Sequence, residues 1–451
     1  MRAQHVDDTL HHILSFCTTD TLARCLTASK TFPVLVAAVA DSRAAHLDLR
    51  LPHYHRISSV IRCIRLAEWM VADRCGKKPR ATTLACCGAF GLAYVLDGVD
   101  STVFHKIIYG MDRCAWIGEP KKLPAVGLGI SSIFAGDTHV LLVDVVGAVW
   151  SAGEGHEGQL GHGLHITCMS EPRCIIKLAD VLCVQASAGS KHSLVLSQSG
   201  AVFSFGCGGD GQLGTGKLYD EFEPKRIEAL KGVAMQAVSG GGLHSLGLSA
   251  NGDAYWWGSE YASFYGDRRP RPHRQLLQPS QITVGERVSQ VCLGGGHSLL
   301  LGISGQLYSF GNGEFAQLGG GTATGVAPRC SYSPEPTPIC SFLDVRVQSI
   351  SACAFHSAAI TCGGELYTWG HPGTGALGHG PTNFNSSIPF SDGQPRRVEA
   401  VQHANSPAVE SASGRHMTLV RLADNEILIL CEVKGRLAHP IELHCPPPSS
   451  L

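Results

Sequence analysis

Six histidines recur along the chain, each opening a short apolar segment, and their spacing constrains the fold more than any other feature. They are His139 in AGDTHVLLV, His192 in AGSKHSLVL, His244 in GGLHSLGL, His297 in GGGHSLLL, His356 in CAFHSAAI and His416 in SGRHMTLV. The intervals between them are 53, 52, 53, 59 and 60 residues. GAFGLAYVL fits the same frame 48 residues before His139, with Gly91 in the histidine slot, which brings the copies to seven. Fourteen residues after each of the first five histidines stands a glycine: Gly153, Gly206, Gly258, Gly311 and Gly370. Eight residues further comes another, Gly161, Gly214, Gly266, Gly319 and Gly378. Each unit reads as strand, short turn, strand, glycine-cornered loop and a return strand such as PKRIEAL or PRRVEAV. A period of 50 to 60 residues holding about four strands is the signature of a propeller blade. The expected fold is mainly β, a seven-bladed β-propeller over residues 83–437.

The loop GEGHEGQLGHG, residues 153–163, contains G-x-G-x-x-G but is not a dinucleotide site. Such a site needs a helix that points its N-terminus at the pyrophosphate. Here LHITCMSEPRCIIKL follows, with Pro172 and β-branched pairs, and reads as loop and strand. GQLG then recurs at 211–214, with AQLG and GALG as variants, so the glycines serve corners of positive φ, and Leu160, Leu213, Leu318 and Leu377 plug the loops onto the core. Glycine supplies 53 of 451 residues, against a usual fraction of about 7 %.

The formal charge of −1 exerts no global pull on nucleic acid or an anionic membrane. MRAQHVDDTL lacks an apolar leader core, and the run from Phe32 to Ala40 is too short to span a bilayer, so a cytosolic or nuclear chain is expected. The 18 cysteines then read as small buried hydrophobes; no C-x-x-C occurs, and neither a metal site nor a cofactor is expected. His156, His162 and His165 are surplus to the repeat but lie in a turn without a carboxylate pattern. No G-x-S-x-G, H-E-x-x-H or Walker loop supports an enzyme.

The G-x-x-H-S strands and G-Q-L-G-x-G loops resemble the regulator of chromosome condensation family, whose members fold as seven-bladed propellers. Departures fall at Gly91, at SEYASFYG where GQLG is expected, and at Leu430 in a glycine slot. KPRATTLACC and AHPIELH are expected to supply closing strands, the latter within a tail of residues 438–451. A histidine beside glycines could serve as a ligand or base, but six in equivalent strand slots read as structural: His139, His192, His244, His297, His356 and His416 are expected to bond neighbouring loop backbone within each blade, with Gly161, Gly214, Gly319 and Gly378 structural in the loops. The resemblance implies, as one reading, exchange of guanine nucleotide on a Ran-type GTPase. Relatives that catalyse exchange carry acids just before the repeat histidine; Asp137 matches, whereas Lys191, Leu243, Gly296, Phe355 and Arg415 stand in the other copies.

Residues 1–50 read as a small helical module and 51–82 as a helix, over 56–74, with a basic linker. Leu10, Ile13, Leu14, Ser15, Phe16, Leu22, Ser29, Lys30 and Phe32 resemble an F-box. By that resemblance Leu10, Ile13, Leu14 and Leu22 bind a Skp-type adaptor of a cullin ubiquitin ligase; a helical cap on the propeller is the alternative. DRRPRPHR, with Arg268, Arg269 and Arg271, is either a contact for phosphate or an acidic partner, or a solvated loop. The expectation is a non-enzymatic substrate receptor that offers its propeller to a protein client; regulation of a small GTPase, or a chromatin-associated scaffold, is the alternative.

Overall fold

The computed structural model describes residues 130–144, 146–259, 275–320, 332–371, 375–379, 393–399, 401, 406–414, 417–424 and 426–430, with strand segments 84–86, 93–97, 102–104, 432–433 and 436–437. The helical module of residues 1–50, the segment 51–82, Arg268, Arg269, Arg271, Gly266, His416 and the tail 438–451 lie outside the described residues.

Five antiparallel four-stranded sheets follow one another along the chain. Blade 1 is β4 (Ile130–Ala135), β5 (His139–Asp144), β6 (Val149–Glu154) and β7 (Cys168–Cys174). Blade 2 is β8 (Cys183–Ala188), β9 (His192–Ser197), β10 (Val202–Gly206) and β11 (Glu221–Arg226). Blade 3 is β12 (Met235–Gly240), β13 (His244–Ser249), β14 (Ala254–Ser259) and β15 (Gln275–Ile282). Blade 4 is β16 (Val288–Leu293), β17 (His297–Gly302), β18 (Leu307–Asn312) and β19 (Tyr332–Pro338). Blade 5 is β20 (Val347–Cys353), β21 (His356–Thr361), β22 (Leu366–Gly370) and β23 (Arg396–Arg397).

Two three-stranded sheets flank them: β1 (Leu84–Cys86), β2 (Ala93–Asp97) and β3 (Thr102–Phe104) before, and β24 (Ala408–Ser413), β25 (Thr418–Leu422) and β26 (Ile427–Leu430) after. The expectation of seven blades is therefore corrected: among the described residues five are complete. In blades 1, 2, 4 and 5 the loop before the outer strand turns on a glycine at positive φ, Gly161, Gly214, Gly319 or Gly378. In the last copy β26 is followed by a two-stranded antiparallel ribbon of β27 (Glu432–Val433) and β28 (Arg436–Leu437). KPRATTLACC does yield a strand, β1, but as a member of its own sheet with β2 and β3. β1 packs beside β4 on one side and β24 and β25 on the other, so the series of sheets returns on itself.

Among the described residues most of the core lies between adjacent sheets, and one cluster, Ile130, Ile133, Val140, Leu142, Trp150 and Ala152, belongs to blade 1 alone. Leu141, Val143 and Val149 of blade 1 cluster with Cys183, Ala186, Val195 and Phe205 of blade 2, and Leu194, Leu196 and Val202 of blade 2 with Met235, Val238 and Trp257 of blade 3. Each second strand is covered on both faces and buried along all six residues, which is why it reads as a continuous apolar run instead of an alternation. The outer strands β7, β11, β15 and β19 carry Pro172, Pro224, Pro279 and Pro334. Proline cannot donate to a ladder, so these edges resist pairing with another chain. Among the described residues no helix is long and apolar enough to cross a membrane.

Candidate interaction face

The interval of 14 residues is a cross-strand pair. His139 faces Gly153, and likewise His192 Gly206, His244 Gly258, His297 Gly311 and His356 Gly370. These glycines have φ between 97° and 112°. A Cβ at Gly206 would stand 2.6 Å from the Lys191 carbonyl oxygen, so backbone crowding forbids a side chain there.

The histidine rings reach across to the following sheet. Nε2 of His139 lies 2.8 Å from Ser193 Oγ, that of His192 2.9 Å from Ser245, that of His244 3.4 Å from Ser298, that of His297 2.8 Å from Ser357 and that of His356 2.9 Å from Thr418 Oγ1. Four of those hydroxyls donate back to the loop of the histidine's own blade: Ser193 to the Gln159 carbonyl, Ser245 to Gln212, Ser357 to Gln317 and Thr418 to Ala376. A hydroxyl that donates there can only accept from the ring, which fixes Nε2 as the protonated nitrogen. Bonding within each blade was expected; the bond instead joins neighbouring blades.

Nδ1 of His139, His192, His244 and His297 is buried without a hydrogen-bond partner. Burial pushes these rings down from 6.5, to about 4 for His139 and His244 and about 3 for His192 and His297, the last two helped by neighbouring histidines. All four are neutral structural groups.

In the last sheet Thr418 pairs with Leu430. Thr418 fills the place of Ser357, so Met417, wholly buried, stands in the histidine slot and Leu430 in the slot of Phe205 and Trp369. The Gly414 amide donates to the Met417 carbonyl as Gly136 does to His139, which fixes the same register. The repeat there is offset by one residue from His416.

The loops sit at the histidine end of the strands. Strand hydroxyls hold their corners: Ser151 donates to the Leu160 carbonyl, Ser204 to Leu213, Ser309 to Leu318 and Thr368 to Leu377. Each second corner glycine abuts the next sheet, Gly161 on Phe205, Gly214 on Trp257, Gly319 on Trp369 and Gly378 on Leu430. His162 Nε2 lies 3.0 Å from Ser151 Oγ, His156 and His165 are exposed, and among the described residues no group of three or more His, Cys, Asp or Glu could hold a metal.

Above this repeated layer the chemistry changes from seam to seam. Between blades 1 and 2, Lys191 Nζ binds Glu157 Oε1 at 2.6 Å. That bond raises the ammonium, and it holds the carboxyl, which burial alone would raise, below its usual range. Between blades 2 and 3 the equivalent positions hold Asp210 and Leu243. Between blades 4 and 5 they hold Phe315 and Phe355, with ring centroids 4.8 Å apart, and His371 stands edge-on to Phe315 at 5.1 Å. All three rings are half-buried. Asp137 is half-buried and accepts from the Ser190 hydroxyl. Backbone register places Ser190, Gly242, Gly295 and Ala354 level with Asp137, one residue before the positions compared in the sequence; none is acidic. The serine after the histidine was visible as H-S in four copies; the Phe315–Phe355 contact spans 40 residues and left no sequence signal.

A model of the regulator of chromosome condensation (RCC1) repeat matches residues 146–196, 199–248, 304–360 and 363–421, and a second RCC1-repeat model matches 183–212. The gap from 249 to 303 contains the unit that lost GQLG. The ultraviolet-B receptor UVR8 of Arabidopsis thaliana is 30 % identical over 349 residues, covering 75 % of this chain and 76 % of that protein. The human probable E3 ubiquitin-protein ligase HERC6 is 32 % identical over 250 residues, 54 % of this chain but 23 % of the ligase. Among solved structures, human WBSCR16 superposes with a TM-score of 0.60 at 23 % identity, over 78 % of this chain and 87 % of that one. Prp20p of Saccharomyces cerevisiae, studied with its binding to Gsp1p and histones, gives 0.59 at 21 %, over 75 % and 81 %.

Proposed function

Because the chain belongs to the RCC1 repeat family, we propose that it is a non-enzymatic protein-binding propeller whose loop face receives the partner. One observation carries this reading. A repeated layer of His–Ser and Ser–carbonyl bonds lies beneath seam positions that hold an ion pair, an Asp and Leu, or an aromatic cluster. Stability is served by the shared layer, and side chains that differ from seam to seam are free to be chosen for a partner. In the full chain, residues 1–50 tether that client to a Skp-type adaptor and its cullin complex, which makes the protein a substrate receptor. The probable ubiquitin-protein ligase HERC6 is similar to this chain over 23 % of its own length.

Co-purification of the full-length chain with a Skp-type adaptor tests the tether. Binding that disappears in Leu14→Asp supports it; binding retained in that variant refutes it. A second reading, regulation of a small GTPase, draws on Asp137 at the loop face and on the Gsp1p binding of Prp20p. It requires faster nucleotide release from a Ran- or Rab-type GTPase that slows in Asp137→Ala, and unchanged release across such GTPases would dismiss it.

A further inference from the structure

We infer that the Phe315–Phe355–His371 seam is the docking point for an arginine- or lysine-bearing segment of the partner, a step that rests on the loop face being the binding surface. Phe315 sits two residues before Gln317 in the loop of blade 4, and Phe355 one residue before His356 in the turn of blade 5. Those are the places of Glu157 and Lys191 in the seam between blades 1 and 2. The fold therefore accepts a charged pair at this geometry, and two half-buried phenylalanines are not required for packing. The His371 amide donates to the Phe355 carbonyl at 2.9 Å, which sets its backbone beside the turn, and its ring meets both phenylalanines, with centroids 5.1 Å from Phe315 and 6.1 Å from Phe355. Burial keeps the His371 ring below its ordinary range, so it adds no positive charge to the cluster at neutral pH.

Charge selects the occupant. Among the described residues, the turns and first loop positions of this face carry Asp137, Glu154, Glu157, Asp210 and Glu314. Lys191 is the base among them, and its ammonium is engaged by Glu157. A guanidinium or ammonium over the phenylalanine faces gains from the ring quadrupole; Glu314, next to Phe315, draws it to this seam, and the acids of blades 1 and 2 add only to the field of the face as a whole. An aliphatic anchor would use the rings alone, and an acidic segment would be repelled.

The test uses the full chain and fluorescein-labelled 12-residue Gly/Ser peptides carrying arginine, leucine or glutamate at every third position, read by anisotropy at low salt. The arginine peptide should bind most tightly. The double variant Phe315→Glu/Phe355→Lys, which copies the seam between blades 1 and 2, should weaken it about 5- to 20-fold with an unchanged thermal midpoint. Should the double variant misfold, Phe355→Leu gives the same comparison with a smaller loss. Equal binding by wild type and variant, or tighter binding of the leucine peptide, overturns the inference. A photo-crosslinker at position 154 separates the two levels: if it captures a protein while the arginine peptide fails to bind, the face stands and the cationic assignment falls; if both fail, both fall.

Discussion

Lowering the pH from 8 to 5 should unfold this ring through its histidines. His139, His192, His244 and His297 titrate at about 4, 3, 4 and 3 in the folded chain, against 6.5 when exposed. The sign follows from which state holds the proton. Below 6.5 the unfolded chain protonates these rings while the folded chain does not, so their stabilising contribution is complete above about pH 7 and declines as the pH falls towards 4. At pH 5 each ring costs about 2 kcal/mol, and the four together about 8 kcal/mol. That is comparable with the whole stability of an ordinary domain, about 5–15 kcal/mol. The slope approaches about 5 kcal/mol per pH unit, the uptake of about four protons on unfolding. Urea titrations followed by tryptophan fluorescence at half-unit steps measure it, since Trp256, Trp257 and Trp369 are fully buried. A slope below two protons near pH 5.5 would refute the reasoning, because it would mean that the rings are reached by water or bear charge in the fold.

Ser193→Ala should cost about 2–3 kcal/mol, because it leaves both the His139 Nε2–H and the Gln159 carbonyl without that hydroxyl inside the seam; a loss under 0.5 kcal/mol by chemical denaturation, on the order of a surface change, would contradict the seam geometry. Ala316 has φ 63°, where the aligned Gly158 and Gly211 have 89° and 80°, so Ala316→Gly should leave stability unchanged or raise it by up to about 1 kcal/mol. Gly206→Ala meets the Lys191 carbonyl at 2.6 Å and should cost about 3 kcal/mol or more; in either case the urea midpoint decides. Lys191→Ala breaks an ion pair whose lysine side chain is 54 % exposed, so its effect on the thermal midpoint should correspond to less than about 1 kcal/mol, and a larger loss would show that the seam needs the pair.

The propeller was legible because His–Gly pairing converts a fixed interval into a fixed register. What the sequence could not show is which sheet a ring points into: His192 and Ser245 are 53 residues apart, and nothing local reveals that they meet across a seam. The last copy misled because identity was matched instead of backbone position. His416 looks like the repeat histidine, but the pairing of Thr418 with Leu430 gives that slot to Met417, and in a strand one residue exchanges the two faces. The count of seven failed at the ends, where the described residues give two three-stranded sheets in place of complete blades. The face was the least legible part. Asp137 was singled out by likeness, whereas Phe315, Phe355 and His371 become a cluster only when blades 4 and 5 are set side by side.

The central claim, that a partner protein binds the loop face, is tested most directly by photo-crosslinking in cells from two exposed positions. Glu154 lies on the loop face, and Asn251 in the turn at the opposite end of the strands. A crosslinker at 154 should capture a discrete protein that a crosslinker at 251 does not. Capture from 251 alone, or equally from both, would contradict the account.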